Sequence, residues 1–176
     1  VHLYLVRHAE AEAGPQMDPT RTLTATGRDV QIPAIASFLV RQVGHIPNVL
    51  SSNMARARDT AKPLVDALGA ACYDEIWQLD PDVEPEKAWK RIKQLTRGED
   101  VLVVTHHPLV CTLLEYLCGA KTGEGTFTHA SVACIHVEKQ HLRWFVNPQL
   151  VERDQELEAT REAALALASA ALECLG

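Results

Sequence analysis

No stretch of this 176-residue chain is apolar over anything near the ~20 residues that a membrane-spanning helix requires. Its opening, V-H-L-Y-L-V, is without the basic start and longer apolar segment of a secretory signal. A soluble, cytoplasmic protein with no membrane partner is the expectation. A long basic stripe is missing too, and the formal net charge is -6, so a nucleic-acid backbone would find no continuous partner and any phosphate site must be local. The five cysteines (Cys72, Cys111, Cys118, Cys134 and Cys174) are odd in number, lie mostly in apolar surroundings and form no C-x-x-C pair. Cys111 and Cys118, expected on one helix, would stand roughly 10 Å apart along its axis, too far to bridge. Buried free thiols and a reducing compartment are therefore expected. There is no internal repeat, low-complexity linker or composition break; with 47% hydrophobic residues the chain can bury a full core, and a single domain over 1–176 is expected.

What is present is an alternation of short apolar runs and helical stretches. Val1 to Val6, Asn48 to Ser51 and Val101 to Thr105 have the unbroken apolar character of strands covered on both faces. Helices are predicted between them, from near Thr24–Gly27 to Val43, from Met54 to Leu68 with Gly69 as stop, and from Glu86 to Thr96 after Pro85. Pro33 either ends a first turn at Ile32 or kinks the first helix. A fourth helix is predicted to open at Pro108 and end at Gly119, and the segments Ala130–Val137 and Leu142–Val146 pair as strands. The Ala-, Glu- and Leu-rich stretch from about Glu152 to Leu175 is predicted helical, its default place being against its own domain. The pattern is that of a layered α/β fold with a mainly parallel sheet.

In open parallel sheets, ligands bind beyond the carboxyl ends of the strands. The first strand ends there in Arg7-His8-Ala9-Glu10, and the strand Val101–Thr105 ends in His106-His107-Pro108. A neutral imidazole can attack phosphorus, while a guanidinium can hold the phosphoryl oxygens and share their charge. His8 is the candidate nucleophile; from these four residues alone, a loop pair bonded to backbone or water is the commoner arrangement. If the two strands are parallel, His106 leaves the sheet beside His8, with the start of a helix behind it. His107 is expected to point elsewhere, by the alternation of extended chain. Arg56 falls in the first turn of a helix at the same edge, whereas Arg58, about 200° further round, is expected to be solvated or paired with Asp59 or Asp66.

The pieces L-V-R-H-A-E-A (5–11), R-T-L-T-A-T-G (21–27), S-S-N-M-A-R-A-R-D-T-A (51–61) and V-V-T-H-H-P-L-V (103–110) resemble the histidine phosphatase, or phosphoglycerate-mutase-like, superfamily. The small size and F-T-H-A-S-V-A at 127–133 are most similar to the SixA-type phosphohistidine phosphatases. The resemblance covers roughly residues 1–150 and leaves the terminal helix unmatched. It implies an α/β/α fold, a catalytic set of His8, Arg7, Arg56 and His106 with His8 phosphorylated, and Arg21 as a substrate-side cation. For Arg21 a salt bridge with Asp18 or Glu10 stands as an equal alternative. Two departures matter: Ala9 replaces a common glycine, and the glutamate that serves larger members as acid has no clean match in Trp77–Asp82. Glu10 and Asp80 are the candidates for acid and base, with surface ion pairing as the competing role. An imidazole leaving group, with an ordinary pKa near ~6.5, relaxes that demand.

The implied reaction is hydrolysis of a phosphoryl group through a phosphohistidine enzyme intermediate, without metal or other cofactor. The partner would be a phosphorylated protein domain, such as a histidine phosphotransfer domain of a signalling phosphorelay, or a small phosphate ester. A small-molecule phosphomonoesterase or mutase of the same fold is the first rival. A metallohydrolase is disfavoured, because arginines would repel a divalent cation and neither H-E-x-x-H nor H-x-H occurs. A non-catalytic phosphate-binding module is the third reading.

Overall fold

The computed structural model describes residues 1–119, 121–123 and 125–156. Its centre is a six-stranded sheet. Strand β1 (His2–Arg7), β2 (Asn48–Ser51), β3 (Cys72–Glu75), β4 (Val101–Thr105), β5 (Val132–His136) and β6 (His141–Val146) lie in the order β3-β2-β4-β1-β5-β6. The first four are mutually parallel, while β5 runs antiparallel to β1 and β6 antiparallel to β5. β2 and β4 are buried at every position, as continuous apolar strands covered on both faces must be.

Each face of the sheet carries helices. Helix α1 (Ile32–Gln42) and α2 (Ala55–Leu68) cover one face, where Ile35, Leu39, Ala61 and Leu64 meet Tyr4, Val6, Leu102 and Val104. On the other, α3 (Pro85–Thr96) and α4 (Leu109–Cys118) bring Ala88, Ile92, Leu113 and Leu114 against Leu3, Leu5, Val101 and Val103. Consecutive strand residues thus feed opposite cores, which makes an α/β/α sandwich. Trp144 packs in the first core and Trp89 in the second. None of the described helices is long and apolar enough to cross a membrane.

Local chemistry explains the helix ends. Gly69 closes α2 and Gly119 closes α4, both in left-handed geometry. Before Pro33 the chain makes a widened π turn over Gly27–Gln31, in which the Ile32 N–H reaches back to the Gly27 carbonyl. The extra residue per turn makes room for the proline ring, so the helix neither ends nor breaks there. Strand β3 was not expected from sequence: at the sheet edge it is largely exposed, so C-Y-D-E has no apolar run to betray it.

A last helical segment covers residues 148–156, beginning four residues before the predicted 152 because Asn147 caps it, its Oδ1 accepting the Leu150 N–H at 2.9 Å. The remainder of the predicted 152–175 helix, and Cys174, lie outside the described residues. Of the other thiols, Cys111 and Cys134 are buried and Cys118 is half-buried. Cys72, expected to be buried, is exposed on the edge strand.

Candidate active site

The parallel pairing of β1 with β4 sets Arg7 beside Thr105, and the His8 N–H continues the ladder to the Thr105 carbonyl at 2.9 Å. The two chains therefore leave the sheet together. The rings of His8 and His106 stand 5.0 Å apart, centroid to centroid, tilted by 55°. They line a cavity of about 480 Å³ with Arg7, Gln16, Arg21, Arg56, His107, Pro108 and His129. Pro108 is both a wall of this cavity and the residue from which α4 starts.

His8 is 4% exposed, and its Nδ1 lies 2.7 Å from the Ala9 carbonyl oxygen. A carbonyl can only accept, so Nδ1 carries the proton and Nε2 keeps its lone pair. Burial first, then the neighbouring His106, Arg56 and His129, hold the His8 pKa well below its ordinary value, against the opposing Ala9 bond. His106 is 1% exposed, neither ring nitrogen has a hydrogen-bond partner, and burial followed by Arg56, Arg21 and Arg7 pushes its pKa down to about 3. Both rings are neutral near pH 7. This is the protonation state a phosphoryl acceptor needs.

The arginines are fixed without being neutralised. Arg56, 1% exposed, donates from Nη1 to the Asp18 carbonyl (2.8 Å) and from Nη2 to the Gln16 carbonyl (2.6 Å) and Met54 Sδ (3.2 Å). Arg21 donates from Nη1 to the carbonyls of Gly14 (2.7 Å) and Pro15 (3.2 Å). The backbone of residues 14–18 thus offers four carbonyls to two guanidiniums. Asp18 turns its own carboxylate to Thr20, and neither Asp18 nor Glu10 forms an ion pair with Arg21 among the described residues. A buried cation held only by dipoles costs stability, and its charge stays available to an anion. Arg7 donates to the Phe127 carbonyl (2.7 Å) and to His129 Nε2 (3.2 Å). Arg58 points away and approaches Asp59 and Glu75, each at 3.9 Å.

The scaffold around the histidine loop is equally specific. The Ala9 N–H donates to Thr60 Oγ1 (3.0 Å), and that hydroxyl donates to the Arg56 carbonyl (2.7 Å). Glu10 N–H donates to Gln31 Oε1 (2.8 Å). Gly27 faces the Glu10 backbone so closely that a Cβ would overlap the Glu10 carbonyl oxygen and come within 3.0 Å of its nitrogen. The glycine of the R-T-L-T-A-T-G piece is needed for this close approach.

The five sequence-derived cations and imidazoles, Arg7, His8, Arg21, Arg56 and His106, converge on the cavity. The two carboxylates stand outside its wall. Glu10 accepts from Thr24 Oγ1 at 2.8 Å. Asp80 accepts from Ser52 Oγ at 2.6 Å and lines a separate cavity with Trp77, Asp82 and Lys87. Burial foremost, then the Asp82 charge, raises the Asp80 pKa, against the Ser52 bond and Arg56. His107, expected to point elsewhere, lines the cavity as well, because strand alternation stops at Thr105; its Nε2 is 3.3 Å from Cys111 Sγ. His129 and Gln16 are additions that sequence had not assigned to a phosphate site. Among the described residues no group of three or more His, Cys, Asp or Glu is placed to hold a metal ion.

The α/β/α sandwich, with a histidine–arginine cluster at this sheet edge, has the phosphoglycerate-mutase-like fold. The model of the histidine phosphatase superfamily (branch 1) matches residues 3–80. The chain is similar to phosphohistidine phosphatase SixA of Escherichia coli (strain K12), with 28% identity over 154 residues that span 84% of this chain and 94% of that protein. Its fold matches the protein histidine phosphatase SixA complexed with tungstate at a TM-score of 0.74, with 28% identity over 84% of this chain and 97% of the other. In fold alone it also matches a mycobacterial glucosyl-3-phosphoglycerate phosphatase with inorganic phosphate, at a TM-score of 0.64 and 18% identity over 84% and 98% of the two chains.

Proposed function

We propose that this chain hydrolyses phosphohistidine on a partner protein, such as the transfer domain of a phosphorelay, through a phospho-His8 intermediate. The observation that carries the reading is the His8 ring: buried, neutral, and held by the Ala9 carbonyl in the tautomer that leaves Nε2 its lone pair. The likeness to SixA supports the substrate class. The lone pair of Nε2 forms the new N–P bond as the substrate's P–N bond breaks, and its electron pair stays on the departing imidazole. Arg7, Arg56 and His106 balance the charge on the phosphoryl oxygens, and Arg21 meets the substrate side. Water then attacks phospho-His8, releasing inorganic phosphate and restoring the ring.

The carboxylates enter this scheme from outside the cavity. Burial raises the Asp80 pKa, which makes it the better placed of the two to supply a proton, and Glu10 lies close enough for its charge to act on His129. Since imidazole leaves more readily than an alkoxide, neither has to deliver a proton completely in the transition state.

The test is to incubate the protein with a phosphohistidine transfer domain, a sugar phosphate and a phosphoglycerate, and to trap the enzyme early. Phosphate release from the first, with an acid-labile label on His8 that is lost in His8→Ala, is expected. Turnover confined to the small esters would replace the protein substrate with a small one. Persistent activity in folded His8→Ala would remove the nucleophile.

A further inference from the structure

His129 lies on the turn that leads into β5, outside the proposed nucleophile and phosphoryl-binding set. Its ring centroid is 5.6 Å from that of His8, and its Nε2 is 3.2 Å from Arg7 Nη2. A guanidinium has only donors, so Nε2 is the acceptor and the ring proton sits on Nδ1. Burial, then Arg7, holds the His129 pKa down to about 4, with Glu10 opposing, which keeps that acceptor available near neutral pH.

The turn is built to present this ring. Ala130 adopts a left-handed conformation (φ 57°), a cost that a residue with a Cβ bears only when its surroundings impose it. Here its N–H is shared between the carbonyls of Arg7 (3.1 Å) and His8 (3.2 Å), and the Arg7 N–H returns to the Ser131 carbonyl at 3.1 Å. The turn thus grips the backbone of the residue whose side chain it also holds. With Phe127 O on Nη1 and His129 Nε2 on Nη2, both ends of the Arg7 fork have an acceptor, while its buried Nε has none.

We propose that His129 is a positioning residue that fixes the Arg7 guanidinium beside His8, so that the fork meets a phosphoryl group without having to reorient. The inference rests on the phosphatase reading only in taking Arg7 as an oxyanion ligand.

Binding of tungstate and of inorganic phosphate, measured by calorimetry, tests it without requiring turnover, so its failure is separable from failure of the substrate assignment. His129→Gln offers a carbonyl oxygen in place of Nε2 and should keep affinity within about threefold, whereas His129→Leu fills the space without an acceptor and should lose about tenfold. Equal affinities in the two variants would show that volume alone matters and would overturn the proposal. A second measurement covers the case of a poorly folded leucine variant. The change from His129 to Ala, which removes the acceptor, should lose about tenfold in the parent chain but have no further effect in an Arg7→Lys background, because the fork it serves is gone. Additive losses in that cycle would overturn the proposal as well.

Discussion

Thr60 joins the histidine loop to the second arginine: its hydroxyl accepts the Ala9 N–H at 3.0 Å and donates to the Arg56 carbonyl at 2.7 Å. Thr60 is 1% exposed, so no water can take over either bond. Thr60→Val keeps the shape but strands a buried amide beside His8. A loss of about 1–3 kcal/mol in urea unfolding is expected, with a fall in kcat/KM larger than the fall in stability would cause. Unchanged stability and turnover would show that the bond is incidental.

Gly27 makes a second prediction about the same loop. In Gly27→Ala the new methyl meets the Glu10 carbonyl, which is backbone and cannot swing aside. The loop bearing His8 or the π turn must shift, at about 1–3 kcal/mol for overpacking. A melting temperature at or above that of the parent chain would refute the close approach as a constraint.

The buried imidazoles predict the pH response. His8 is held well below its ordinary pKa and His106 is pushed to about 3, whereas both titrate near ~6.5 in the unfolded chain. Between those values the unfolded state binds protons that the folded state refuses. Stability is therefore intact above pH ~6.5 and falls as the pH drops toward 3, by up to about 1.4 kcal/mol per pH unit for each imidazole. Urea unfolding between pH 7.5 and 5 should show this slope, and His106→Asn should flatten it. In the free protein the His8 Cε1 resonance should stay still from pH 8 to 5.5; a titration midpoint near 6.5 would contradict the neutral buried ring.

The carboxylates give a prediction about magnitude. Glu10 and Asp80 stand behind Thr24 and Ser52 rather than in the cavity wall. Glu10→Gln and Asp80→Asn should each lower kcat/KM toward a phosphohistidine domain by less than about tenfold, whereas an obligatory general acid contributes roughly 10²–10⁴-fold. A hundredfold loss in either variant would make that carboxylate the proton source.

The sheet's central strands and the four main helices were legible because their signals are local: unbroken apolar runs at β2 and β4, and Gly69 and Gly119 as stops. Strand β3 was not, since an exposed edge strand pairs through its backbone and leaves no mark in side-chain polarity. The site was readable to the same extent. Arg7, His8, Arg56 and His106 follow strand ends, where topology converts sequence position into spatial meeting. The holding of Arg56 and Arg21 rests on main-chain carbonyls of residues 14–18, and a carbonyl has no letter in the sequence. His129 sat in a recognised segment, but its bond to Arg7 depends on a left-handed Ala130 that nothing in F-T-H-A-S-V-A announces.

Tethering by uncharged acceptors has a price that falls late in the cycle. Guanidiniums crowded together at one cavity repel one another until some oxyanion sits between them, and inorganic phosphate has the charge to do so. The reaction's own product is thus a stabiliser of the folded chain. Its departure must give that stabilisation back.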